Sequence, residues 1–400
     1  MAHIESFIIH GLAGRTTPVS RTLDRHVNVF WGLNGSGKTS LLKILHAALE
    51  NDDSSLERVP FERAEVLIRT SGSNELVKRT YDVASRASAP MDFENMEGIE
   101  AINDVAWRQA VHQNAGAGWV TESLENSSYP RSNTKFQHAF LPISRVSQTR
   151  TPTGLNNWRT PVERQAIDDA AFDEIFAEQV RRRWQTYSNS ALSSIREIQQ
   201  QGLASILAVL FGGGSGIPEG GGEPIPAEQA FSVVRDFLSG QRIQLRVGRN
   251  EFIKRYDEER DLQRVVDNIQ SVTDEVEVTL RPQAEFQAII EELYSGNKQL
   301  VFTNRRLTAR NALQVEIDGQ PVPLQSLSSG EKQLLQLLLE ILAAESSTVM
   351  IDEPELSMHV DWQQRLVASM VRVNPHCQML LATHSPEVMA DVSEAFVFEL

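Results

Sequence analysis

The sequence predicts an α/β fold: a mixed sheet assembled from both ends of the chain, with a helical insertion between. Three observations point there. Near the start, the apolar run Val27, Val29, Phe30, Trp31 passes into the glycine-rich stretch Gly32-Leu33-Asn34-Gly35-Ser36-Gly37-Lys38-Thr39, and an apolar helical run, Leu41 to Leu49, follows. Near the end, the β-rich run Thr348 to Ile351 delivers Asp352-Glu353-Pro354-Glu355. Between them, Ala166 to Gln201 places Phe172, Ile175, Phe176, Val180, Trp184 and Tyr187 at helical spacing, with charges interspersed.

Composition bounds the rest. A chain of 400 residues, 41% hydrophobic, is long enough to bury a sizeable core. The single cysteine, Cys377, excludes an intramolecular disulfide and a cysteine metal cluster, and suits a reducing cytoplasm. The first residues lack a basic region followed by an apolar run, and no window approaches the twenty apolar residues of a membrane span. A cytoplasmic protein with no membrane partner is expected. A net charge of -15 argues against nucleic acid wrapped over the whole surface. A local basic groove for DNA or RNA stays open, because arginines collect at 181–183, at Arg242, Arg246 and Arg249, and at Arg305, Arg306 and Arg310. Solvated helix or strand faces fit the same clusters.

The stretch 32–39 fits the phosphate-loop pattern G-x-x-x-x-G-K-[ST] in the context it requires, a strand before and a helix after. Its glycines let backbone N–H groups point at phosphate oxygens, and the helix that follows turns its positive end to the same charge. Lys38 is expected to reach the β and γ phosphates of ATP or GTP, and the Thr39 hydroxyl to ligate Mg²⁺. Asn34, Gly35, Ser36, Gly37 and Ser40 complete the expected cradle. At the tip of the second strand, Asp352 is expected to hold Mg²⁺ and Glu353 to address the attacking water. The DEPE run alone would also fit a solvated acidic turn, the lesser reading, and not one to keep beside the phosphate-loop motif.

Upstream, Leu327-Ser328-Ser329-Gly330-Glu331-Lys332-Gln333 precedes the helical run Leu334 to Ala344. Ser328 and Glu331 have capping-box spacing, so a well-capped helix and a second phosphate-binding surface at Ser328, Ser329 and Gly330 are both readings of it. One ATP does not need two helix ends from one chain, which suggests a homodimer or higher homo-oligomer closing on ATP. After the run Met379 to Ala382, Thr383-His384-Ser385-Pro386 puts a histidine at another strand tip.

GLNGSGKT, LSSGEKQ, MIDEPE and ATHSP, in this order, resemble the Walker A, signature, Walker B and switch-histidine motifs of ABC-class ATPases. Ser328 lies 24 positions before Asp352, and His384 lies 32 after it, similar to that family's compact catalytic lobe. The resemblance implies two ATP molecules sandwiched between two heads, Glu353 polarising water and His384 contacting the γ-phosphate. The 290 positions from Lys38 to Ser328 exceed a transporter's spacing and favour the RecF-like and chromosome-maintenance-like branch. Within that branch, DEPELSMHVDWQ followed by THSP resembles the ATPase heads of OLD-family nucleases and of the anti-phage systems Septu and PARIS. His359 stands where transporters carry an aspartate. Because the sequence stops one strand after THSP, a nuclease effector is expected to be a separate protein.

On that reading, residues 1–150 and 301–400 form the two parts of the ATPase head, and 151–300 a helical lid or arm. Glu65 to Arg69 and Leu76 to Tyr81 alternate as a hairpin turning at 71–74, and Phe136 to Arg145 resembles the strand that re-enters the core. Gln137 and Gln148 are candidates for a further metal contact. The glycine-rich run 212–222 reads as a flexible loop. Phe231 to Leu238 and Phe252 to Ile269 read as helices, Glu275 to Leu280 as a strand, and Leu313 to Ile317 with Asp318-Gly319 as a hairpin returning to the signature. Three functions compete: an ATPase controlling a separate anti-phage effector, a RecF-like ATPase clamping DNA in repair, and a scaffold locked by ATP with little hydrolysis.

Overall fold

The structure is a computed structural model and describes residues 2–70, 75–84, 118–124, 135–142, 169–211, 225–240, 243–294, 298–303 and 312–400. The hairpin turn at 71–74, Gln148, the glycine-rich run 212–222, Arg242, Arg305, Arg306 and Arg310 lie outside these residues. The chain divides into two compact units, one of 1–181, 289–301 and 314–400, the other of 182–288 and 302–313.

The first unit contains two five-stranded sheets. One is antiparallel: β1 (Ala2–His10), β2 (Val19–Thr22), β4 (Arg63–Thr70), β5 (Leu76–Asp82) and β6 (Val120–Ser123), in the order β2-β1-β4-β5-β6. The other joins β3 (Val27–Trp31), β7 (His138–Leu141), β11 (Thr348–Asp352), β12 (Gln378–Thr383) and β13 (Val397–Glu399), in the order β13-β3-β12-β11-β7. Every pairing in this second sheet is parallel. All residues of β11 and β12 are buried, as expected of parallel strands covered on both faces. Helix α1 (Lys38–Glu50) supplies much of the shared core through Leu41, Leu42, Ile44, Leu45, Ala48 and Leu49.

Two buried polar side chains tie this unit together. Gln378 on β12 donates to the carbonyls of Ile4 and Asp24 and accepts from the Ile4 N–H and the Thr348 hydroxyl, so one amide joins the parallel sheet to β1. Arg79 on β5 is fully buried, with its guanidinium donating to the Ala48 and Leu49 carbonyls at the end of α1 and lying over the Phe136 ring. Those carbonyls have no intrahelical donor, and a cation there satisfies both them and the helix dipole.

The second unit contains most of α2 (Asp169–Leu210), then α3 (Ala227–Gly240), α4 (Arg249–Glu258) and most of α5 (Arg260–Leu293). Its core is Ala230, Val234, Phe252, Tyr256, Val266 and Ile269. The helical reading of 252–269 meets one interruption, because Glu259 is extended (φ -109°, ψ 106°) and separates α4 from α5. The strand expected at Glu275 to Leu280 is instead part of α5. The alternating Val276, Val278 and Leu280 suggest a pleat, but Val278 is 67% exposed while Val266, Ile269 and Val272 bury one helical face. Continuing that face overrides local β propensity. The strands β8 (Lys298–Thr303), β9 (Ala312–Ile317) and β10 (Gln320–Val322) follow, with β9 and β10 forming the expected antiparallel hairpin across Asp318-Gly319. Helices α6 (Ser329–Leu342), α7 (Val360–Val373) and the short α8 (Pro386–Met389) complete the described chain.

A histidine pair joins α1 to β7. The Phe136 carbonyl can only accept, so His138 Nδ1 carries its hydrogen at 2.7 Å, and His138 Nε2 accepts from His46 Nδ1 at 2.6 Å. Burial, then the neighbouring His138, lowers the His46 pKa to about 4, and burial also lowers that of His138. The folded state therefore holds these rings neutral while the unfolded chain binds protons near the ordinary value. The stabilising contribution of His46 is complete above about pH 6.5 and is lost as pH falls toward 4, by on the order of 3 kcal/mol, and that of His138 falls in the same direction. Thermal melting should show the midpoint falling across this window. His46→Phe, beside Phe140, should flatten the fall without removing it, since His3 is likewise lowered to about 4 by burial.

Candidate active site

The carboxyl ends of three adjacent parallel strands are level. Trp31 at the end of β3 pairs with Thr383 at the end of β12, and Ala382 pairs with Asp352 at the end of β11. The loop 32–37, the Asp352-Glu353 pair and His384 therefore leave the sheet at one edge, where ligands of open α/β sheets bind.

Gly37 caps α1 with φ 101°, a conformation that L side chains resist, and a Cβ there would also press on Ala13 and Leu12. The turn this permits brings Lys38 to the first position of α1, buried, with its ammonium donating to the carbonyls of Gly32 at 2.7 Å and Leu33 at 3.3 Å. The same ammonium lies 3.9 Å from Glu353 Oε1. Arg15, from the turn after β1, donates to the Ser36 carbonyl at 3.3 Å. Asn34 and Gly35 are exposed on the loop. The Ser36 hydroxyl is buried with no hydrogen-bond partner among the described residues.

Thr39 Oγ1 donates to Asp352 Oδ2 at 2.7 Å, across 313 residues of sequence. A hydroxyl and a buried carboxylate side by side are hard oxygen donors, which suit Mg²⁺. With the buried lysine and the unpartnered Ser36 hydroxyl beside them, these residues fit a magnesium-bound nucleoside triphosphate. Ser40, the next residue of α1, is half-buried.

Glu353 turns sharply at φ 50°, its N–H donating to the Ala382 carbonyl. Its Oε2 is bonded to His384 Nδ1. Burial, then the adjacent Glu355 carboxylate, raises the Glu353 pKa above the ordinary carboxylate value, with His384 pulling the other way. Glu353, Glu355 and His384 offer ligand atoms within 4.8 Å of one another. Glu355 was not among the residues that motif spacing singles out. The only available signal was its place in DEPE, since its partners lie 28 to 30 residues away.

Ser328 is the N-cap of α6, and with Glu331 it forms both bonds of a capping box. This end is also held by charge and ring contacts. Glu331 accepts from Lys298 at 2.5 Å, its carbonyl accepts from the buried Tyr294 hydroxyl, and Lys332 donates to Asp173 at 2.6 Å. Gln333 donates to the Pro354 carbonyl, just after Glu353. Ser329 is exposed. Gly330 lies against the backbone of the same segment, where a Cβ would meet the Ser357 carbonyl oxygen at 2.7 Å. His359 caps α7, with its ring accepting from the Asp361 N–H, and is exposed; Gln137 is exposed before β7.

A family model described as "AAA domain" matches residues 3–293. The chain belongs to the AAA domain family. A second model, described as "AAA domain, putative AbiEii toxin, Type IV TA system", matches residues 231–390. Among curated proteins, this AAA-domain chain is 29% identical over 130 residues to "Retron Vc95 probable ATPase" of Vibrio cholerae serotype O1 biovar El Tor. That match spans 29% of this chain and 25% of the relative's length. Among solved structures, an Smc head domain bound to the C-terminal domain of ScpA, from Pyrococcus furiosus, aligns over 98% of this chain and 92% of its own, with 12% identity and a TM-score of 0.39. The SMC head domain from Thermotoga maritima aligns over 97% and 91%, with 11% identity and a TM-score of 0.40.

The AAA-domain chain combines a parallel sheet bearing the phosphate loop with an antiparallel sheet, and carries a helical insertion. It is a P-loop ATPase domain of the AAA family. Among the described residues, no helix is long and apolar enough to cross a membrane.

Because the obstacle at Gly330 is backbone, Gly330→Ala must displace the start of α6 from 357 or strain both. Its cost should be about 1–3 kcal/mol, read as a lowered urea midpoint. Ser329→Ala, at an exposed neighbour, should leave that midpoint within about 0.5 kcal/mol of wild type.

Proposed function

We propose that this chain hydrolyses ATP to ADP and phosphate, and that ATP-driven pairing of two copies controls a separate effector in defence against phage. The observation that carries the first part is the meeting of Lys38, Thr39 with Asp352, and Glu353 with His384 at one sheet edge. On this reading Asn34 to Ser40 cradle the phosphates, and Lys38 leaves the Gly32 and Leu33 carbonyls for the β and γ oxygens. Thr39 and Asp352 would hold Mg²⁺, which when bound would supply positive charge to the phosphate oxygens.

Glu353 orients the water and takes its proton as the oxygen attacks the γ-phosphorus and the bond to ADP breaks. Its raised pKa makes it a stronger base than an ordinary carboxylate. His384, already on Glu353, contacts the γ-phosphate. Ser328, Ser329 and Gly330 of one copy close on ATP held by the other, a helix start with free N–H groups meeting phosphate charge.

The defence role is supported by the partial match to a retron ATPase and by the wording of the second family model. A nuclease is the effector class we favour, and a cytoplasmic location accords with the single, buried Cys377.

Purified wild type should release phosphate from ATP with Mg²⁺. Glu353→Gln should lower kcat by about 10²- to 10⁴-fold while retaining ATP, the range for loss of a general base. With ATP and Mg²⁺, light scattering of Glu353→Gln should show twice the mass seen without nucleotide. A mass that does not change with ATP would sink the sandwich reading. Expressed with its genomic neighbours, wild type should restrict phage and Lys38→Ala should not; restriction that survives Lys38→Ala would exclude the defence role as stated.

A further inference from the structure

Glu355 has no part in the chemistry proposed above, yet it is one of the few buried carboxylates among the described residues, 5% exposed. One oxygen, Oε1, accepts from the Thr383 hydroxyl, from the His384 N–H at 3.2 Å and from the Ser385 N–H at 3.2 Å. The same oxygen lies 3.4 Å from His384 Nδ1. Oε2 is buried and finds no hydrogen-bond partner among the described residues. A carboxylate that only terminated a turn would lower its free energy by reaching water.

The turn it grips is otherwise lightly held. Ser385 N–H also donates to Thr383 Oγ1 at 2.9 Å, and the Ser385 hydroxyl reaches Gln363 and Glu387. None of these bonds fixes the His384 ring. With its backbone N–H held by Glu355 and its Nδ1 beside both carboxylates, the ring is set from two directions, and Nε2 is left for a ligand.

We propose that Glu355 is a positioning residue for hydrolysis: from one buried oxygen it fixes the 383–385 turn and so holds the His384 ring against Glu353. The proposal rests on the hydrolytic reading of Glu353 and His384, but it makes a claim about geometry that is testable without turnover. Charge-assisted bonds to two backbone N–H groups and a hydroxyl are strong enough to set such a turn. Gln at this position keeps one acceptor oxygen; Ala keeps none.

The test compares wild type, Glu355→Gln, Glu355→Ala, His384→Ala and the double variant Glu355→Ala with His384→Ala. Binding of a fluorescent ATP analogue and steady-state phosphate release are read on each. Glu355→Ala should lower kcat by about tenfold or more, with analogue affinity within about twofold of wild type, and Glu355→Gln should recover part of the loss. The double variant should be no slower than His384→Ala, because Glu355 acts through that ring. Additive losses, or a loss matched by weakened ATP binding, would overturn the proposal.

Independently, protein labelled with ¹³C at histidine Cε1 gives a resonance for His384, identified by its disappearance in His384→Ala. That resonance should move in Glu355→Ala and stay near its wild-type position in Glu355→Gln. If it does not move in Glu355→Ala, the proposal is wrong whether or not the protein hydrolyses ATP. If it moves but wild type releases no phosphate, positioning stands and the hydrolytic reading falls.

Discussion

The parallel register of β3, β12 and β11 is the constraint on which the rest of the site depends. Pairing Trp31 with Thr383 and Ala382 with Asp352 makes three strand ends flush, so three loops from distant parts of the chain share one edge. In a parallel sheet, a one-residue slip of β11 against β12 would turn Asp352 to the other face and break its bond with Thr39. The register is held from below by Gln378, whose amide uses both its donor and acceptor sides on Ile4, Asp24 and Thr348. Replacing it with an apolar residue would orphan several buried backbone groups at once.

The elements of the site differ in how much their own sequence determines them. The strand-loop-helix around 27–49 is specified locally: alternating apolar residues, glycines where φ must be positive, then a helical apolar stripe. The Asp318-Gly319 hairpin is equally local, since both turn residues take positive φ. These were legible because the residues that determine them are neighbours in sequence. The 275–280 segment was misread for the converse reason. Its pleat-like alternation is real, but the helical face begun by Val266 and Ile269 decides the backbone, and Pro282 is accommodated inside the same helix.

The contacts that join elements were not legible. Lys332 with Asp173, His46 with His138 and Arg79 with the end of α1 span 159, 92 and 31 residues, and each partner is a common residue type in an unremarkable setting. Burial gives them their meaning. An arginine on a strand reads as a solvent-facing residue, and only the fold shows it satisfying helix carbonyls.

The candidate site shows the same division inside a single motif. DEPE presents three carboxylates within four residues, and spacing alone assigns the first to a metal and the second to water. The sharp turn at Glu353, with φ 50°, sends its carboxylate to Lys38 and His384, while Glu355 emerges one turn later beneath the 383–385 segment. Burial, and then the nearby Glu355 carboxylate, raise the Glu353 pKa. The donors from 383–385 are taken up by Glu355 Oε1. Glu353 is left facing Lys38 and His384, the place that the proposed base needs.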